Sequence, residues 1–273
     1  MTNKYEYTSF ELLPNVRIYQ GLLPDADNLY DIMKRSERTS EGKYYLRSWD
    51  QWSIFGTYSQ QKHDDNEPRE FGSMYDEEKH LSDRVYEAYN TAIEDYVKTY
   101  NVVMPPTSKL MTSSFSKYNT NIDTMKNEMT MQYHTDYIIS ERDMPGPKFL
   151  LTCTTYINDD YEGGDIEFVI DGVYYPYKPK AGDILVFPST EPYFHGVRVI
   201  TKGEKFFIRN FIQHYFDGTP EWLGNQRHFG AYRWAKMESD RIERENPKNM
   251  RYSNRKHLGY ESWVFQKLGM NFS

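Results

Sequence analysis

Apolar residues recur at spacings of three and four through residues 81–100, at Leu81, Val85, Ala88, Ala92, Tyr96 and Tyr100. That is the period of a helix with one buried face. Pro105 and Pro106 forbid its continuation, so the pattern predicts a buttressing helix that stops before them. A shorter helix is predicted after Asp25, which can cap it, with Leu29, Ile32 and Met33 on one face. Most of the remaining chain to residue 216 falls into short runs of β-formers, at 16–19, 109–118, 149–158, 166–170, 173–177, 184–187, 196–201 and 205–214. Asp171-Gly172 between two such runs predicts a tight hairpin, and Lys202-Gly203 a second turn joining the last pair. Pro145-Gly146-Pro147 reads as a rigid break before the run at 149–158. Strands joined by short turns without intervening helices predict an antiparallel, mainly β architecture with flanking helices, an α+β fold. The expected shape is a small double-sheet barrel.

The pattern changes after Phe216. Residues 226–246 and 261–268 mix aromatic and aliphatic residues with many charges, and are read as helical pieces of a C-terminal extension, 217–273. Residues 1–216 form the expected barrel domain, with helices between 25 and 100 bracing it. Trp49, Trp52, Phe55 and Tyr58 fall in an aromatic stretch that reads as inward packing more than ligand contact. That stretch and the polar insert at 119–131 are the candidates for a lid over a site.

Composition narrows the classes. Net charge is −7 and the isoelectric point about 5.6, so no general basic field recruits nucleic acid. The extension is mildly basic, and a nucleic-acid-binding arm is the reading it would support, although a solvated brace over the barrel fits better. The one cysteine, Cys153, sits in a β-run where an inert buried thiol is expected, and no internal disulfide is possible. With no apolar run near the length of a membrane span, a cytoplasmic protein without a membrane partner is expected. Twenty-five tyrosines imply a core with many polar tips or a broad aromatic cleft.

Within this frame one constellation carries chemistry. In an extended strand His134 and Asp136 share a face, and His195 lies on a run that can fold opposite. Two histidines and a carboxylate on one side of a metal leave the other side open, as in non-haem Fe(II) oxygenases. On the last β-run Lys205, Phe207, Arg209, Phe211 and Gln213 share one face. Its two cations stand about 13 Å apart along the strand. Two cations aimed into an apolar-walled mouth call for anionic ligands, and a metal-chelating dicarboxylate meets that need.

Taken together, His134-Thr-Asp136, Tyr156-Ile-Asn158, Gly163-Gly164-Asp-Ile-Glu-Phe, Ala181-Gly182-Asp183-Ile-Leu-Val-Phe-Pro188, His195-Gly-Val197 and Lys205 resemble the 2-oxoglutarate- and Fe(II)-dependent oxygenases, in their prolyl 4-hydroxylase-like branch. The resemblance covers about residues 114–215. It implies a double-stranded β-helix (a jelly-roll or cupin-like barrel) and the cofactors Fe(II), 2-oxoglutarate and O2. His134, Asp136 and His195 are then the implied iron ligands, and Lys205 the implied partner of the distal carboxylate of 2-oxoglutarate. Tyr156 is implied as a hydrogen-bond donor to that same carboxylate, and Tyr118 as a further cosubstrate contact. Arg209 departs from relatives, which often carry a small or hydroxyl residue there. It has two open roles, pairing with the chelating carboxylate or with an acidic group of the substrate. The implied reaction is hydroxylation of an unactivated C–H bond, with succinate and CO2 released. Its substrate is a peptide, an amino acid or a small acidic metabolite. The alternatives are a non-catalytic metal- or ligand-binding barrel and a nucleic-acid-associated oxygenase using the basic tail. Oligomeric state is not legible.

Overall fold

Along the last strand of the barrel, successive side chains look in opposite directions. Phe206 and Ile208 pack among the helices, while Phe207 joins a separate cluster inside the barrel. The computed structural model describes residues 5–37, 49–53, 56–57, 74–105, 108–111, 113–120, 128–136 and 146–216. In chain order the elements are β1 (Thr8–Leu13), β2 (Val16–Gln20), α1 (Ala26–Ser36), β3 (Trp49–Ser53), β4 (Gly56–Thr57), α2 (Tyr75–Tyr100), β5 (Lys109–Leu110), β6 (Ser114–Asn119), β7 (Met129–His134), β8 (Gly146–Tyr156), β9 (Glu162–Gly163), β10 (Ile166–Ile170), β11 (Val173–Tyr177), β12 (Ile184–Pro188), β13 (Phe194–Arg198), β14 (Ile200–Lys202) and β15 (Glu204–Phe216).

A 9-stranded sheet runs β1-β2-β12-β8-β15-β6-β3-β4, with β5 also paired to β15, and faces a 4-stranded sheet in the order β11-β10-β13-β7. All of these pairs are antiparallel. The period of two sorts the large sheet into two faces. Leu151 and Cys153 on β8, and Ile184 and Val186 on β12, meet the helices. Tyr156, Leu185 and Phe187 instead turn inward, onto Ile166, Phe168 and Val197 of the small sheet. This is the double-stranded β-helix, braced on one side. No helix among the described residues is long and apolar enough to cross a membrane.

The brace is α2, which buries Leu81, Val85, Ala88, Tyr89, Ala92 and Tyr96 and ends where Asn101 adopts a left-handed conformation (φ 50). Tyr89 does more than fill space. Its hydroxyl donates to the Ile208 carbonyl at 2.6 Å and accepts from the Thr155 N–H at 2.9 Å, two residues that face each other across β15 and β8. Tyr89→Phe therefore leaves a buried donor and acceptor unmade, at a cost of about 1–3 kcal/mol. Urea unfolding of the variant is expected to show that loss, and an unchanged midpoint would contradict the bridging role.

Several expectations need correction. Asp25 occupies the position before α1 but makes no side-chain cap; its carboxylate instead takes the Arg84 guanidinium at 2.8 and 2.9 Å, tying the start of α1 to α2. The run at 109–118 is two strands, β5 and β6, both on β15. The Pro145-Gly146-Pro147 break lies partly inside a strand, for β8 begins at Gly146. At that end β8 has only β15 beside it among the described residues, since its pairing with β12 stops at Leu151, so Pro147 costs no ladder bond to β12. The largest difference is at 196–214. β13 lies in the small sheet, β14 pairs with β9, and β15 lies in the large sheet. The chain thus crosses between sheets where a hairpin was expected, and alternation alone does not distinguish the two. Trp52 is fully buried and packs edge-on against Phe115 and Phe206, so it serves the core and not a lid. The Asp171-Gly172 hairpin is as expected, with both residues at positive φ (52 and 79). Residues 217–273, with the expected helical extension, and residues 121–127 of the insert lie outside the described residues.

Candidate metal and carboxylate site

The two histidines meet because β7 and β13 are neighbours and His134 is the cross-strand partner of His195. Gly196 permits the approach. A Cβ there would lie 2.6 Å from Met129 Cε and 2.9 Å from the Met131 carbonyl oxygen, so any side chain would push β13 off β7. The imidazole centroids are 4.6 Å apart. Asp136 arrives differently from expectation. β7 ends at His134, and a bend at Asp136, not strand alternation, swings the carboxylate between the rings. Potential ligand atoms of His134, Asp136 and His195 all lie within 4.8 Å of one another. The Asp136 Oδ1 is 3.8 Å from His134 Nε2, and its Oδ2 is 3.6 Å from His195 Nε2.

The proton positions suit a cation. His134 Nδ1 lies 2.8 Å from the Gln132 carbonyl and His195 Nδ1 3.1 Å from that of Tyr193. A carbonyl only accepts, so each Nδ1 carries a proton and each Nε2 is left facing the space beside Asp136. Burial pushes the His195 imidazole down to about 4, against the opposing pull of Asp136. Phe168 and Phe187 supply the apolar wall, with ring centroids 5.6 and 4.8 Å from the imidazole. Burial alone would raise the Asp136 carboxyl, but His195, Arg209, His134 and the Thr152 hydroxyl together hold it below its usual value.

A pH dependence follows. His195 keeps its ordinary value near 6.5 when unfolded and about 4 when folded, so the unfolded chain binds the extra proton between those limits. Stability of the metal-free protein should therefore fall as pH drops from 6.5 toward 4, by up to about 1.4 kcal/mol per pH unit from this group. Denaturant midpoints measured from pH 7 to 4.5 test this; a flat profile down to pH 5 would contradict it.

Thr152 was not singled out by sequence reasoning. Its hydroxyl donates to Asp136 Oδ2 at 2.7 Å and lies 2.9 Å from the Ser189 hydroxyl, fixing the carboxylate's rotation. The only signal available was its place two and four residues before Thr154 and Tyr156 on the inward face of β8. Thr152→Val, nearly isosteric, is expected to weaken divalent metal binding by about tenfold with the fold kept. Calorimetric titration with Mn(II) reads this, and unchanged affinity would remove Thr152 from the site.

Deeper in the barrel Lys205 has no exposed surface. Its ammonium donates to the Gly164 carbonyl and stands 4.6 and 5.5 Å from the ring centroids of Tyr156 and Tyr161. It makes no ion pair among the described residues, and burial, with Lys178 nearby, drives its pKa well down. Tyr156 is buried beside it. Tyr118, the cross-strand partner of Lys205, stacks on Phe207 at 4.6 Å, and burial raises its hydroxyl pKa. Toward the mouth, Arg209 Nη1 reaches Asp136 Oδ1 at 3.3 Å. The inward face of β15 thus carries, in order, a buried ammonium, an aromatic ring and a guanidinium. Of the seven residues singled out from the sequence, six lie on strands of the two sheets, and Asp136 lies just past the end of β7.

This chemistry has a known counterpart. Residues 117–213 match the family model of the 2OG-Fe(II) oxygenase superfamily, the segment that holds all three potential ligands, Lys205 and Arg209. Two PKHD-type hydroxylases of Acinetobacter baumannii are each 40% identical to the protein over 65 residues, which is 23% of this chain and 28% of the relative's length. Among solved structures, a viral collagen prolyl hydroxylase from Paramecium bursaria Chlorella virus-1 aligns with a TM-score of 0.47 at 15% identity, covering 73% of this chain and 96% of that one. A prolyl hydroxylase from Trichoplax adhaerens, in complex with a hypoxia inducible factor peptide fragment, aligns with a TM-score of 0.48 at 12% identity, covering 78% and 88%. The superfamily uses Fe(II), 2-oxoglutarate and O2.

Proposed function

We propose that this protein is an Fe(II)- and 2-oxoglutarate-dependent dioxygenase that hydroxylates an unactivated C–H bond of a peptide, an amino acid or a small acidic metabolite. The observation that carries this reading is the pairing of two features in one barrel. An open-sided His134–Asp136–His195 group lies in the same barrel as a fully buried lysine without a carboxylate partner among the described residues. The donor set fits Fe(II): two imidazoles presenting Nε2 and one carboxylate on one side of the ion. Lys205 fits a carboxylate, since a buried ammonium without one is costly.

Bound Fe(II), with 2-oxoglutarate and O2, supplies oxidising power for inserting one oxygen atom into a C–H bond while the oxo acid becomes succinate and CO2. The chain's own residues prepare that event. Burial keeps His195 neutral near pH 7, so no proton competes for Nε2. Thr152 holds Asp136 by one oxygen. Lys205 and Tyr156 are assigned to the distal carboxylate of the oxo acid, and Tyr118 stands at the cross-strand position beside them. Phe168, Phe187 and Phe207 belong to the buried cluster inside the barrel and keep bulk water from that region.

A barrel that binds metal without turnover is the competing reading. Measuring succinate formed against O2 consumed, with Fe(II) and 2-oxoglutarate and a substrate screen, separates them. Succinate above background in wild type and none in His195→Ala supports the enzyme. Metal binding without any succinate, with or without substrate, favours the inert barrel.

A further inference from the structure

Arg209 has no assigned part in that scheme, and the charge balance of the cleft shows why it needs one. With a divalent ion on His134, Asp136 and His195, and 2-oxoglutarate on Lys205, the charges of the metal, Asp136, Lys205 and the oxo acid cancel. Arg209 is the positive charge left over. Its Nη1 lies 3.3 Å from Asp136 Oδ1, the carboxylate that the metal would claim. Its Nε is buried and has no acceptor among the described residues.

Position decides what anion it meets. Lys205 is wholly buried, whereas the Arg209 side chain keeps 22% of its surface exposed and lies over the Phe211 ring, 5.2 Å from its centroid. Phe211 stacks in turn on Phe149 at 4.4 Å. Along β15 the inward side chains pass from the wholly buried Lys205 to the part-exposed Arg209, so Arg209 borders the ligand group on its solvent-facing side. A guanidinium over an aromatic ring, with a donor still unused, is built for bidentate recognition of a planar anion.

We propose that Arg209 receives a carboxylate of the substrate, so that the cleft selects substrates bearing an acidic group close to the carbon that reacts. The inference rests on the dioxygenase reading and narrows its substrate class. A carboxylate from the second possible source, the oxo-acid end of 2-oxoglutarate, is separated from it by the test.

The experiment uses the full chain loaded with Mn(II), which is inert to turnover, and isothermal titration calorimetry on wild type, Arg209→Met and Arg209→Lys. The first titrant is 2-oxoglutarate. The second series, at saturating 2-oxoglutarate, comprises L-proline, L-aspartate, L-malate and Gly-Pro, each against its carboxamide. The inference expects 2-oxoglutarate affinity to stay within about twofold in both variants, and at least one free acid to bind wild type better than its amide. That preference should fall about tenfold or more in Arg209→Met and recover in part in Arg209→Lys. Mn(II) affinity without 2-oxoglutarate is the control, since a residue that only steadied Asp136 would change that value and leave the acid–amide preference intact. A tenfold loss confined to 2-oxoglutarate assigns Arg209 to the cosubstrate and overturns the inference. So does any result in which no acid is preferred or the preference survives in Arg209→Met. Failure of wild type to bind 2-oxoglutarate at all counts against the dioxygenase reading itself.

Discussion

Asp136→Ala is expected to abolish turnover and to weaken Fe(II) binding by on the order of 100-fold or more, the largest effect of any single substitution in this protein. Three features meet on that carboxylate. It faces both imidazole Nε2 atoms, accepts from Thr152, and is the anion beside Arg209. Its removal takes away the one negative charge of the ligand group and leaves Arg209 beside two histidines. The fold should survive, because Asp136 lies past the end of β7 and joins neither hydrophobic cluster. Calorimetric metal titration together with a circular dichroism melt checks both halves. Full activity in the variant would remove Asp136 from the ligand set.

Lys205→Met is expected to act in two opposite directions. Affinity for 2-oxoglutarate should fall by on the order of 100-fold, since a charge-assisted contact to the distal carboxylate is lost from a water-poor site. Stability of the ligand-free protein should rise by about 1–3 kcal/mol, since a methionine fills the space without the cost of burying a cation. The sign with pH is fixed. The folded pKa of Lys205 lies well below that of the unfolded chain, so the unfolded state binds more protons below about 10.5 and wild-type stability rises with pH. The variant's advantage should therefore be greatest in mildly acidic buffer and shrink toward pH 10. Thermal melts across pH and a 2-oxoglutarate titration read the two effects separately. A variant less stable than wild type at pH 6 would show that the lysine is there for packing.

What could be read from the chain, and what could not, follows from the range of each signal. The inward face of β15 and the outward one of Phe206 and Ile208 come from a strict period of two, as does the turn at Asp171-Gly172. The spacing of Leu81, Val85 and Ala88 marks α2 just as directly. These are local patterns with one geometric solution. The crossing between sheets after Arg198 is not local: the same alternation serves a hairpin or a crossover, and only the pairing of β14 with β9 decides. Asp136 was placed in the site for an insufficient reason, since the bend after His134 depends on tertiary packing. Asp25 looked like a helix cap because Arg84, which takes its carboxylate, is 59 residues away. Thr152 carried no signal of its own, being one of several threonines in a β-rich run.

Anaerobic addition of Fe(II) and then 2-oxoglutarate to the metal-free protein, followed by visible absorption, tests the central claim most directly. The account predicts a metal-to-ligand charge-transfer band in wild type that grows only when both are present and is lost in His134→Ala. A folded protein that binds Fe(II) but shows no band on adding 2-oxoglutarate would contradict it.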